Sequence, residues 1–453
     1  MDIISLLSVL SQCLDGTSIK QLSVIVKAML TISGRVTMLG LSRWSEKGGS
    51  YRTLQRFYSQ SIPWETVYWL LFRHHIQRGE SEHLVAGDES VVTKAGKETH
   101  GLERFFSSIV KRPVWGLAFF TLSLVSVRDR KAYPLAFEQV VKEADPATVA
   151  PTKKAKRGSK RDKGAKPAGQ AGRPKGSKNK NKRTIEWTPE LRRLERLVSA
   201  LLKRVQPFCL IRYLLLDGHF GNNNVMQMVR QMLSLHLISK LRNDSALYFC
   251  YTGDQKPTGA RKRYGPRIDY TQIPAQYLVQ STEQAGIRTE IFQATMLHKA
   301  FADPLNVVLL VKTNLSTLQT AHVVLFSSDL TLAYDKLIDY YRLRFQIEFN
   351  FRDAKQFWGL EDFMNVKETP VTNAVGLAFL MVLLSQILLA RWRAKVPDFS
   401  ILDLKALFRA RRYAQVALQL LPVSQDPILI DQMLDAMPLL GAIHAGPSFT
   451  PNP

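Results

Sequence analysis

Cysteine is scarce: Cys13, Cys209 and Cys250 are the three in 453 residues, and no two stand at a metal-ligand or disulfide-framework spacing. That excludes a disulfide-stapled scaffold and a thiolate zinc site, and it suits a reducing compartment. There is no phosphate-cradling glycine-rich loop, so no nucleotide cofactor is indicated. The nine histidines include the adjacent pair His74-His75 but no i,i+4 pair with a glutamate. Long apolar runs are also few. Ala374 to Ala390 is the one serious membrane-span candidate. It is at the short limit, holds Ser385 and Gln386, and is flanked by Arg391 and Arg393, so a buried core helix is the better reading. Met1-Asp2 carries no positive n-region, so Ile3 to Leu14 does not read as a signal peptide. The expectation is a cytoplasmic protein with no membrane partner.

Acid is the scarcer charge, with 38 Asp and Glu against 62 Lys and Arg, a formal net charge of +24. The excess is uneven. Lys153 to Arg183 holds 14 Lys and Arg and a single acid, Asp162, about half the net charge in 31 residues. With Gly, Pro, Ala and Asn as filler this stretch cannot bury a core, and a disordered basic loop is expected over 143–186. Within it, Gly172-Arg173-Pro174-Lys175-Gly176 resembles the core of an AT-hook, which makes Arg173 and Lys175 candidate DNA contacts. Such a loop is an electrostatic footprint for nucleic acid, although a solvated linker has the same composition.

The length allows two to four domains. Gly48-Gly49 and Pro63 divide residues 1–80 into helical stretches at about 3–14, 18–31, 35–45, 51–58 and 63–78. Residues 81–242 read as an α/β core. Its expected parts are a strand at 84–93, a hairpin of 115–127 and 131–141, a helix at 189–205, a strand at 210–216, a helix from Gly221 to Met232 and a strand at 235–241. Aromatic and β-branched runs at 246–252, 277–282, 287–295, 305–312 and 322–327 mark a β-rich insertion over 243–330. Lys256, Arg261, Lys262, Arg263 and Arg267 make it basic. Residues 331–396 return to helix, and 397–453 read as short helices and a loose tail.

The chemistry concentrates between Tyr341 and Lys355, inside a Gly- and Pro-free stretch that reads as one helix from Tyr334 to Phe357. At roughly 100° per residue, Tyr341, Arg344, Glu348 and Lys355 fall within about 60° of one another, with Arg352 a turn beyond Glu348. Ile338, Phe345 and Phe349 form a neighbouring apolar stripe, the expected packing face. One acid among three cations and a tyrosine suits a metal held beside a phosphodiester. A solvated helix with ordinary Arg344–Glu348 and Glu348–Arg352 pairs would carry the same charges. Two further acids occupy strand positions. Asp88 interrupts the apolar run His-Leu-Val-Ala-Gly-Asp-Glu-Ser-Val-Val-Thr, and alternation sends its rival Glu89 to the opposite face. Asp217 closes Ile-Arg-Tyr-Leu-Leu-Leu-Asp-Gly at a strand's C-terminal end, where open α/β sheets place ligands. A plain turn and helix cap would use the same residues. His219 is either a phosphate contact or strand-end packing.

The spacing Tyr341-x2-Arg344-x3-Glu348-x6-Lys355 resembles the signature of bacterial insertion-sequence transposases of the DDE type, in the insertion-sequence-four lineage. The resemblance runs from about residue 35 to 395. It implies an α/β, RNase H-like catalytic core with a mixed sheet, whose first and fourth strands bring Asp88 and Asp217 together while a late helix lays Glu348 across them. Those three would be the catalytic and metal-holding set. Clustered carboxylates repel unless cations neutralise them, and hard oxygen ligands point to Mg²⁺, with Mn²⁺ as substitute. Two ions about 4 Å apart are expected. Tyr341, Arg344, Arg352 and Lys355 would face DNA, Arg344 with a solvent-side phosphate as partner in place of a buried acid. The resemblance further implies a helical N-terminal DNA-binding domain, with Gly34-Arg35-Val36-Thr37 and Lys47 to Arg52 reading the terminal inverted repeats of double-stranded DNA. It implies a homodimer in the DNA complex and cut-and-paste transposition in the bacterial cytoplasm, at the nucleoid. The family's insertion carries a tryptophan that holds a flipped base. None of the seven tryptophans falls in 243–330, leaving Tyr248, Tyr251, Tyr264 or Phe249 as substitutes. Trp358 follows the signature helix as a packing residue or a DNA contact. The other readings are a nuclease or resolvase of the same fold that cleaves without joining, and a transposase-derived DNA-binding protein without catalysis. Three acids that repel one another argue against the last.

Overall fold

The computed structural model describes residues 2–45, 48–77, 79, 81–107, 110–141, 181–419 and 428. Most of the expected basic loop, including Arg173 and Lys175, lies outside the described residues, as does Lys47.

Five strands position the site: β1 (Glu82–Thr93), β3 (Arg112–Ser126), β4 (Lys131–Val140), β5 (Leu210–Leu215) and β6 (His236–Leu241). β3 and β4 form an antiparallel hairpin, β1 runs antiparallel to β3, and β5 and β6 follow parallel to β1. The order β4-β3-β1-β5-β6 is that of an RNase H-like core. Continuous apolar runs such as Leu84-Val85-Ala86 and Leu214-Leu215-Leu216 are buried, as strands covered on both faces require. α6 (Pro189–Val205) starts where Thr188 caps Leu191 N–H and Pro189 takes the first turn. α7 (Asn223–Met232) is capped in the same way by Asn222.

The sequence expectations miss two strands. β2 (Glu103–Ser107) pairs with the start of β3. β8 (Tyr264–Arg267) contains Gly265 and Pro266, which depress any strand signal. The remaining strands are β7 (Leu247–Cys250), β9 (Leu278–Gln284), β10 (Ile287–His298), β11 (Leu305–Asn314) and β12 (Thr320–Ser327). β12 pairs antiparallel with β6, so the 243–330 stretch prolongs the core sheet into one of twelve strands.

The N-terminal helices are α1 (Ile3–Leu7), α2 (Gly16–Thr31), α3 (Met38–Trp44), α4 (Tyr51–Tyr58) and α5 (Trp64–His75). They share a core with α10 (Glu368–Arg393). Trp64 Nε1 donates to Asn373 Oδ1 at 2.9 Å, and the Tyr68 hydroxyl donates to Gly376 O at 2.8 Å. Position 376 must be glycine for this approach, because a Cβ there would lie 2.2 Å from Trp64 Cε2. α10 is the one described helix long and apolar enough to cross a membrane, yet 89% of its most apolar window is buried inside the molecule. α11 (Ile401–Gln419) is a 19-residue helix where only short helices were expected. Lys405 ties it to the rest, donating to Met29 O at 3.0 Å and Phe357 O at 3.4 Å.

Candidate active site

Register brings the two strand acids together. Ala86 pairs with Leu215 across the parallel β1–β5 ladder, so Asp88 and Asp217, each two residues further on, emerge side by side on one face. Asp217 sits just past β5 and accepts from His219 N–H at 3.1 Å, while Ser239 Oγ donates to its backbone oxygen at 2.7 Å. Asp88 accepts from Glu89 N–H at 2.8 Å.

α8 (Tyr334–Arg344) packs on the same face, and α9 (Gln346–Phe357) reaches it through Asn350 Nδ2, which donates to Ser123 Oγ at 3.3 Å. These replace the single expected helix: at Phe345 the bonding tightens to i→i+3, with Glu348 N–H on Phe345 O at 3.1 Å. The break re-aims α9, and the apolar stripe changes with it. Leu337, Ile338, Leu343, Ile347, Phe351 and Ala354 are buried, whereas Phe345 and Phe349 are 50% and 37% exposed and meet edge-on. Of the three residues expected to form the packing face, Ile338 alone does so.

Glu348 is brought to the strand acids through Arg344. Arg344 Nη1 lies 2.7 Å from Asp88 Oδ2, and Nη2 lies 3.4 Å from Glu348 Oε1. Its partner is therefore a part-buried acid where a solvent-side phosphate was expected. Burial pushes the Asp88 carboxyl above its ordinary range, Arg344 pulls it back, and the Asp217 charge raises it further. Burial likewise raises Glu348, opposed by Arg344 and assisted by Asp88. Burial also raises Tyr341, and its hydroxyl feels Arg344, Asp217 and Asp88 together. Three acids, one guanidinium and one phenol thus form a single electrostatic neighbourhood.

The other candidates are placed less uniformly. Glu89 points to the opposite face, where Glu190 and Arg193 of α6 and His219 are its neighbouring charges. His219 Nε2 lies 3.0 Å from Glu190 Oε1, away from the Asp88 face. Lys355 Nζ donates to Val91 O at 2.8 Å and lies 3.6 Å from Glu361, clamping α9 onto β1. Arg352 pairs with Asp353 at 2.9 Å and covers the Phe349 ring, leaving Glu348 to Arg344. Arg35 and Val36 N–H both bind Asp362, at 3.3 and 2.8 Å. Tyr248, Tyr251 and Tyr264 are remote: β7 and β8 stand six and seven strands from β1, about 30 Å across the sheet. Phe249 is buried against Tyr277, and Trp358 is 1% exposed and packs. Sequence reasoning missed Thr121, which faces Asp88 in register and carries a buried hydroxyl without a partner. A lone hydroxyl in Phe-Phe-Thr-Leu was its available signal.

As the side chains stand, no three His, Cys, Asp or Glu residues among those described converge closely enough to hold a metal ion. The donor chemistry nevertheless fits a hard divalent cation: three carboxylates, an orphaned Thr121 hydroxyl, and a positive group already drawn between two of the acids.

An RNase H-like sheet with acids delivered by adjacent central strands is the architecture of DDE proteins. A family model described as DDE superfamily endonuclease matches residues 9–302, and the chain belongs to that family. Endonucleases of this kind act on DNA and use divalent ions such as Mg²⁺. The match includes Asp88 and Asp217 and stops short of Glu348. No curated protein matches the chain.

Proposed function

We propose that the protein is a DNA transposase of the insertion-sequence-four type, which cleaves the ends of a mobile element and joins the freed 3′-hydroxyls to target DNA. The observation that supports this reading is that Asp88 and Asp217 leave adjacent strands on one sheet face while Arg344 pairs with both Asp88 and Glu348 of the overlying helix. Asp88, Asp217 and Glu348 would hold Mg²⁺, or Mn²⁺ in its place. The ions would activate the attacking water or 3′-hydroxyl and stabilise the leaving oxygen. Tyr341 and Arg344 line the acids, Arg352 offers the more exposed cation to a phosphate, and Lys355 fixes the helix to β1. Arg173 and Lys175 of the basic segment would add affinity for duplex DNA, and two copies would act together on paired element ends at the nucleoid.

The test is a strand-transfer assay with the element's own terminal repeats, target plasmid and Mg²⁺. Transposition yields joined products that carry the element ends. Cleavage without joined product would make the protein a nuclease of the same fold, and neither product would leave only DNA binding.

A further inference from the structure

β2 and the start of β3 form a two-stranded ribbon that outruns the sheet. Glu103–Ser107 pair with Arg112–Gly116, whereas β1 ends at Thr93 opposite Gly116. The register sets Arg104 opposite Trp115 and Phe106 opposite Pro113, so these four share one ribbon face. That face is open: Phe106 is 65% and Trp115 56% exposed, and Val110 at the turn is 48% exposed. Phe105, on the other face, is buried and anchors the ribbon. One cation lies on the aromatic face: the Arg104 guanidinium is 5.7 Å from the Trp115 ring. Lys111 and Arg112 are exposed at the turn end of the ribbon, Arg112 on its opposite face. Glu103, at the ribbon's base, is the one acid among its described residues. Alternation runs unbroken from Trp115 to Thr121, the partner of Asp88, so Trp115 lies on the Asp88 face of the sheet. The separation along the strand is about 20 Å.

We propose that this ribbon is a stacking platform for unpaired bases of the DNA strand that leads to the acid site. The inference rests on the DNA-cleaving reading of Asp88, Asp217 and Glu348, and adds how the strand is held. Aromatic faces stack bases of any identity, and interleaved arginines and lysines follow the phosphates. A second copy of this chain is the poorer occupant, because the ribbon's cations would meet a partner that itself carries +24.

The experiment measures binding by fluorescence anisotropy, without divalent metal, to a blunt duplex and to the same duplex with an unpaired tail. Trp115→Ala should lose about tenfold on the tailed duplex and no more than about twofold on the blunt one. Trp115→Phe should keep most of the tail preference, and Phe106→Ala should reduce it. The platform is overturned if Trp115→Ala binds the tailed duplex like the wild type, or weakens both duplexes equally. It is also overturned if the substitution instead converts a dimer to a monomer in sedimentation. Mg²⁺-dependent nicking by the wild-type chain is recorded in parallel. Nicking with no tail effect removes the platform alone, and a tail effect with no nicking removes the catalytic reading alone.

Discussion

Arg344 Nη1 and Asp88 Oδ2 are 2.7 Å apart, with the guanidinium 12% and the carboxylate 20% exposed. The pair joins a helix residue to a strand residue 256 positions away. Arg344 Nε is buried without a hydrogen-bond partner, so the side chain is held by the acids and not by a full set of its own bonds. The arginine is the counter-ion shared by Asp88 and Glu348.

Arg344→Ala should therefore destabilise the metal-free protein by about 3 kcal/mol, the low end for removing one partner of a buried pair. A divalent cation should restore much of that loss, since it replaces the missing positive charge. Thermal melts with and without Mg²⁺ check this: the variant should gain more from Mg²⁺ than the wild type. Equal melting temperatures, with equal Mg²⁺ shifts, would make the contact incidental.

Gly376→Ala should cost about 1–3 kcal/mol by overpacking, because the added methyl meets the Trp64 ring at 2.2 Å and that ring is held by Asn373. Denaturant unfolding measures it. A neutral result would mean that α10 and α5 can separate freely, and that the N-terminal helices are less firmly docked than their shared core implies.

Burial pulls the Lys405 ammonium down to about 8 from 10.5, helped by Arg409 and opposed by Asp362. Below that value the folded chain carries a buried charge. Between about 8 and 10.5 the folded state has released a proton that the unfolded chain still binds, so stability rises with pH across this window. Lys405→Met removes the titration. The stability difference, wild type minus variant, should shift toward the wild type by up to about 3 kcal/mol over that range. A flat difference would show that the ammonium's bonds to Met29 O and Phe357 O offset its desolvation.

Deleting 153–183 should flatten the salt dependence of DNA binding, since each neutralised phosphate contributes about 0.9 to the slope of log K on duplex DNA. Affinity should fall for all sequences alike, while metal-dependent nicking of pre-bound DNA at low salt persists. An unchanged slope would reduce the segment to a linker.

What could be read in advance was local. Alternation along β1 separates Asp88 from Glu89, and the helix expected at 189–205 is α6, Pro189–Val205. The apolar run closing on Asp217 marks β5. What escaped depends on distant partners. The break at Phe345 follows from how α8 and α9 dock, and the exposure of Phe349 follows from the break. Arg344 points to Asp88 because of a register set by β1, β3 and β5, which no window around residue 344 contains. The joining of β12 to β6 is likewise a pairing across most of the insertion.

In the proposed site Glu348 completes what Asp88 and Asp217 begin, and it lies beyond the residues matched by the family model. The most direct measurement is Mg²⁺-dependent nicking of plasmid DNA carrying the element's ends, by the wild type, Asp88→Asn, Asp217→Asn, Glu348→Gln and Glu89→Gln, with DNA binding measured alongside. The carboxamides keep shape and lose the charge that would hold an ion. The expected result is loss of detectable nicking in the first three variants, with binding retained and Glu89→Gln active. Glu348→Gln nicking at the wild-type rate would contradict the account, as would an inactive Glu89→Gln beside an active Asp88→Asn.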